Sequence, residues 1–179
     1  VPAVVEVKVS DLDMSVTDYV FYENDFSDAK TIADFTQYRG DWTIQKGALY
    51  YTAQTDGFKE PKNFSFILYT ANHDANLLTD YTVEVDIVNS QTAAGVITHA
   101  DLAKANSDGV NAFYGYLSFV SNDGAKGALG YGNTEGGWGG NLNVGDAVLE
   151  TGGTYHLQVV HKDGSLTYTL TDAKGEVLY

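Results

Sequence analysis

The chain has 179 residues, 44% hydrophobic and 19% charged, and no cysteine. That length can bury one substantial core unaided, and the lack of cysteine excludes a disulfide framework or thiolate metal site. Ten Lys and Arg against 24 Asp and Glu give a formal charge of −14, which repels phosphate backbones and anionic lipid surfaces, so neither nucleic acid nor a membrane is an expected partner.

No apolar run approaches the ~20 residues that a membrane-spanning helix needs. Thirteen Tyr, eight Phe, two Trp and nineteen Gly against two Pro are the mix of a turn-rich β protein. The chain opens on Val1-Pro2 without a Met, and it is expected to be a piece of a larger exported bacterial protein.

In chain order, residues 1–19 read as a linker or an extra N-terminal strand, with Val5, Val7 and Val9 alternating against Glu6 and Lys8. A strand is expected from Val20-Phe21-Tyr22 into residues 23–26. One or two helical turns should follow over residues 27–35, capped by Ser27. Residues 41–45 and 48–52 form a hairpin about Lys46-Gly47. A short strand covers residues 64–69.

Residues 81–88 alternate, with Tyr81, Val83, Val85 and Ile87 on the buried face. Residues 94–98 form an apolar strand, residues 100–107 a polar loop or short helix, and residues 113–120 a long strand. A turn at Asn122-Asp123-Gly124 leads to a strand over 127–131, and residues 132–141 read as a Gly-rich loop carrying Trp138. Residues 155–160 and 166–171 pair about Lys162-Asp163-Gly164, and Lys174-Gly175 starts a return over 176–179. Many short strands with little helix mean a sandwich or barrel over residues 20–179.

The order of ENDFSD (23–28), GDWTIQKGALY (40–50), YTVEVDI (81–87), AAGVI (93–97), FYGYLSFV (113–120) and GTYHLQVVHKDGSLTYTLTD (153–172) resembles the concanavalin A-like jelly rolls. Within them it is most similar to the laminin-G-like carbohydrate-binding modules of secreted bacterial glycosidases and surface proteins. The resemblance covers about residues 20–179 and implies an all-β, two-sheet antiparallel sandwich. Such modules finish with one more strand near the first, so this sheet is expected to lack its last strand, by truncation or by supply from another chain.

Four groups of residues could carry chemistry. Glu84-x-Asp86 puts two carboxylates on one strand face. Laminarinase-type hydrolases of similar fold add a second Glu two or three residues later, where this chain has Val88 and Asn89. A retaining glycosidase needs two carboxyl groups about 5–5.5 Å apart, so the acid/base partner is missing and the pair reads as a solvent face.

Related modules hold a structural calcium near the first strand, which implies Glu23, Asp25 and Asp28 as ligands and Ca2+ as cofactor. Asp11-x-Asp13 lacks the downstream Gly and Glu of an EF-hand loop.

Tyr114, Tyr116, Tyr131 and Trp138 supply rings to stack on a sugar's C–H face, with Asn141 beside Trp138 to bond hydroxyls. Tyr114 and Tyr116 share one strand face opposite Leu117 and Phe119. His99, Asp101 and Asn111 flank the loop before the long strand and complete the ligand set that the resemblance implies. His156 and His161 are five apart, hence on opposite strand faces, and the four histidines show no zinc spacing.

The function expected is non-catalytic binding of an oligosaccharide or polysaccharide, targeting an attached enzyme or surface protein to a glycan. The module would sit beside neighbouring domains of a secreted or cell-surface chain. The alternatives are a structural or adhesion spacer and, behind it, a glycoside hydrolase. Neither a Gly-x-Ser-x-Gly nucleophile elbow nor a phosphate-cradling loop is present.

Overall fold

A computed structural model describes residues 19–39, 41–53, 66–72, 78–89, 94–99, 116–121, 128–133, 137–143 and 149–179. These residues are all-β apart from one short 3₁₀ helix, Ala29–Asp34. The strands are β1 (Phe35–Arg39), β2 (Asp41–Gln45), β3 (Ala48–Ala53), β4 (Phe66–Tyr69), β5 (Tyr81–Val88), β6 (Ala94–Thr98), β7 (Tyr116–Ser121), β8 (Ala128–Asn133), β9 (Gly137–Asn143), β10 (Thr154–Lys162) and β11 (Ser165–Asp172). All pairings are antiparallel: β1 with β4, β2 with β3, β11–β10–β5 in one sheet and β6–β7–β8–β9 in another.

β10 is the centre of its sheet, and its pleat decides what lies inside. Tyr155, Leu157, Val159 and His161 are buried, while Thr154 and Lys162 are exposed and the residues between are half-buried. The register sets Tyr155 against Ile87, Leu157 against Val85 and Leu170, and Val159 against Val83 and Tyr168. β5 follows the expected alternation, its Thr82, Glu84, Asp86 and Val88 being exposed. Ala94 and Val96 of β6 and Val120 of β7 pack into the same core, together with Leu149 and Leu178. Both sheets therefore share one apolar interior.

Two turns close hairpins with both central residues left-handed, Lys46-Gly47 (φ 52° and 71°) and Asp163-Gly164 (φ 50° and 74°). That is the I′ geometry, whose twist matches the flanking strands. It trims the second turn to two residues and lets β10 run on to Lys162.

The connection into β10 is tied to the end of β5 by Asn89, which is 2% exposed. Its backbone N–H donates to Gly153 O (2.8 Å), Gly152 N–H donates to its carbonyl (2.7 Å), and its side-chain amide donates to Leu149 O and Glu150 O. Gly153 is sterically required, because a Cβ there would lie 3.0 Å from both Glu150 O and the Tyr155 hydroxyl. The return at Lys174-Gly175 exists as a short pairing: Leu178 N–H donates to Leu170 O (2.8 Å), and Val177 bridges Thr171.

Three expectations are corrected. Residues 20–26 are not a strand. Asn24 Oδ1 accepts from Phe26 N–H (2.7 Å), Asp25 Oδ1 accepts from Ser27 N–H (2.9 Å), and Phe26 is left-handed at φ 56°. These side-chain bonds compete with a ladder. The segment is held by its rings, Tyr22 lying 4.2 Å from Tyr69 between ring centroids.

The helical turn is capped by Asp28 and not Ser27, and Phe35 leaves it to begin β1. Residues 132–133 and 137–141 are strand and not loop. β8 runs through Asn133 and β9 starts at Gly137, so Trp138 is a strand residue opposite Gly132 beside a β-bulge. A ladder needs only backbone groups, so glycine weakens a strand without forbidding one. The expectations for residues 1–18, 100–107 and 122–124 fall outside the described residues. Among the described residues no helix is long and apolar enough to cross a membrane.

Leu157 is fully buried at the middle of β10. Urea denaturation should show L157A destabilised by about 2–5 kcal/mol, and V88A, at an exposed β5 position, by less than about 0.5 kcal/mol.

Candidate functional site

The outer face of β5–β10–β11 is a polar lattice. Asp86, His156 and Thr171 form one cross-strand row, and Glu84, Gln158 and Thr169 the next. His156 Nδ1 lies 2.9 Å from Asp86 Oδ1, its Nε2 lies 3.9 Å from Glu84 Oε1, and Gln158 donates to that same Glu84 oxygen. The Glu84-x-Asp86 pair is thus on the solvent face and engaged across the strands. This lattice presents carboxylate, imidazole, amide and hydroxyl groups that can bond the hydroxyls of a ligand.

The four-stranded sheet holds half of the expected ligand set, and its register divides them. Tyr116 stands opposite Thr98 and Asn133, and Tyr131 opposite Ser118, itself opposite Val96. These rows contain the buried Thr98 and the core residue Val96. Trp138 and Asn141 stand in alternate rows, Ile97–Leu117–Gly132–Trp138 and Gly95–Phe119–Gly130–Asn141. Gly95 is exposed. Positions 132 and 130, directly across from Trp138 and Asn141, carry no side chain. Tyr114, Asp101 and Asn111 lie outside the described residues.

Glu23, Asp25 and Asp28 line one shallow, open hollow of about 410 Å³ with Asn24, Ser27, Thr31 and Asp34. Its oxygens are turned to local work. Asp28 Oδ1 accepts from Lys30 N–H (2.9 Å), and Asp34 Oδ2 accepts from the Tyr22 hydroxyl (3.0 Å). The Ser27 N–H holds the Asp25 carboxyl below its usual range, while burial pushes the Tyr22 phenol up. Among the described residues no three His, Asp or Glu groups are gathered to hold a metal ion.

His99 is exposed and left-handed (φ 53°) just after β6. It belongs to a ring cluster that sequence reasoning missed. The Tyr81 hydroxyl and His99 Nδ1 share a hydrogen bond of 2.7 Å, and Thr98 Oγ1 and His161 Nε2 one of 3.1 Å. The imidazoles of His99 and His161 lie 4.2 Å apart between centroids, and Tyr81 stacks on His161 at 4.7 Å and 18°. Burial raises the Tyr81 phenol, with bonds from Thr98 and His99 opposing. The signal was the pairing of Tyr81 with His161, which becomes readable only once the β5–β10 register is known.

Comparison with protein-family models, with curated proteins and with solved structures finds no match to this chain.

The His156–Asp86 contact joins side chains that are 39% and 74% exposed, and such pairs are worth about 0–1 kcal/mol. H156A should therefore leave the melting temperature within about 2 °C of the parent at neutral pH by calorimetry.

Proposed function

We propose that this chain is a non-catalytic carbohydrate-binding module, a two-sheet jelly-roll sandwich of the concanavalin A-like kind. It would work outside the cell beside other domains of a larger secreted or surface protein. The reading rests on one observation: Trp138 stands on a sheet strand directly across from Gly132, with Asn141 across from Gly130. Glycine at both facing positions leaves only backbone across from the residues that bear the indole and the amide. A pyranose offers the complementary surfaces, a C–H face and a rim of hydroxyls. With a formal charge of −14, neutral glycans are favoured over acidic ones.

On this reading Glu84 and Asp86 have no catalytic role. Their oxygens serve Gln158 and His156, and Val88 stands where laminarinase-type strands place a further Glu. The adhesion-spacer alternative predicts no sugar affinity at all.

A glycan array followed by calorimetry tests the proposal. Binding is expected at a Kd of about 1 μM to 1 mM, weakened at least tenfold in W138A and in G132V, which puts a side chain at the position across from Trp138. A folded chain that binds no glycan overturns it.

A structural Ca2+ held at the hollow of Glu23, Asp25 and Asp28 is the cofactor that goes with this reading. Melting in calcium should then exceed melting in chelator by several degrees, because a ligand bound only by the native state stabilises it. Equal melting temperatures remove the ion from the proposal.

A further inference from the structure

The ring cluster of Tyr81, His99 and His161 joins two sheets. His161 is the last inward residue of β10 and Tyr81 the first residue of β5, paired with it, whereas Thr98 and His99 end β6 of the other sheet. Thr98 and His161 are 6% and 7% exposed. The two imidazoles overlap at 4.2 Å with planes 32° apart, and Tyr81 covers both, at 4.7 Å from His161 and 5.6 Å from His99. Metal ligation requires nitrogens turned toward a common point, and overlapping rings do not provide one.

The charged and titratable surroundings are few among the described residues. β5 brings Tyr81 and, before it, Asp80, whose carboxylate accepts the Asp163 N–H at 3.1 Å. β10 brings the exposed Lys162 after His161, with Asp163 in the turn. β11 sets Leu166 and Ser165 opposite His161 and Lys162. β6 ends in Thr98 and His99, and Tyr116 of β7 stands opposite Thr98 in register.

We propose that Tyr81, His99 and His161 form a pH-operated latch between the two sheets, closed while the His161 imidazole is neutral and opened at the His99 end of β6 when it takes a proton. A proton on His161 places charge on a ring that is 7% exposed and 4.2 Å from a second imidazole. The Thr98 end of β6 is the element free to yield, since β10 is fixed on both edges by β5 and β11.

Burial, and secondarily the charge of His99, holds the His161 imidazole below its ordinary value of 6.5. For a base with a depressed value, the open form binds the proton more tightly. The latch is therefore whole above about pH 6.5 and is lost as pH falls below it toward the depressed value.

The test uses the whole chain, with imidazole titration and amide-exchange protection factors by NMR at about pH 7.5 and about pH 5. Protection at Tyr81, Thr98 and His99 should fall between those two pH values, while Leu157 and Val159 keep theirs. H161F retains a ring that cannot charge and should show no such acid loss. H99F should raise the titration midpoint of His161, because the neighbouring imidazole charge is gone. Equal acid loss in the parent and H161F, a His161 midpoint at the ordinary histidine value, or loss shared equally by Leu157 overturns the latch. Should H161F fail to fold, the direction of the His161 shift in H99F decides alone.

Discussion

The described structure depends on the pleat of β10. A strand turns successive side chains to opposite sides, so one nine-residue segment, Thr154–Lys162, supplies both the middle of the core and the middle of the polar outer lattice. Leu157 and Val159 are fully buried between Val85 and Val83 on one side and Leu170 and Tyr168 on the other. A slip of one residue would put His156 and Gln158 inside and two core residues in water. The I′ turn at Asp163-Gly164 and the Asn89 ties at the other end exclude that slip. Register, more than any single contact, is what the hydrophobic energy selects.

The two sheets use their outer sides differently. On β5–β10–β11 the side chains are short or paired across strands, and charge is balanced locally by His156 and Gln158. On β6–β9 the glycines at 130 and 132 stand opposite Asn141 and Trp138, in the rows that alternate with those of Val96 and Thr98. Glycine is an entropic burden in a strand. Its concentration around Trp138 opposes stability.

How legible this was in the sequence depended on what held each segment. β5 and β6 were readable to the residue, because Tyr81–Val88 alternates and Ala94–Thr98 is apolar throughout, signals local to the strand. The turns at 46–47 and 163–164 announced themselves through residues tolerant of positive φ. β9 was not readable, since Gly137–Asn143 has no hydrophobic period and is a strand only by virtue of β8. Residues 20–26 look extended by composition, yet Asn24 and Asp25 spend their side chains on their own backbone. The acidic residues 23, 25 and 28 line one hollow, though the hydrogen-bond partners of Asp25 and Asp28 are neighbouring N–H groups. The ligand set was read as one surface, but Tyr116 and Trp138 occupy alternate rows, which no count along the chain could reveal.

The two histidines of β10 show how far environment outweighs identity. His156 faces water, with Asp86 Oδ1 at 2.9 Å and Glu84 Oε1 at 3.9 Å. His161, five residues on, ends the apolar column begun by Tyr155, Leu157 and Val159, where a valine or leucine would bury more hydrocarbon at less polar cost. Instead the column ends in an imidazole that takes Thr98 as its hydrogen-bond partner, stacks on Tyr81 and lies 4.2 Å from the tilted ring of His99. An apolar end would hold the sheets together equally at every pH. An imidazole at that end holds them only while it is neutral, which ties the junction of the two sheets to proton concentration.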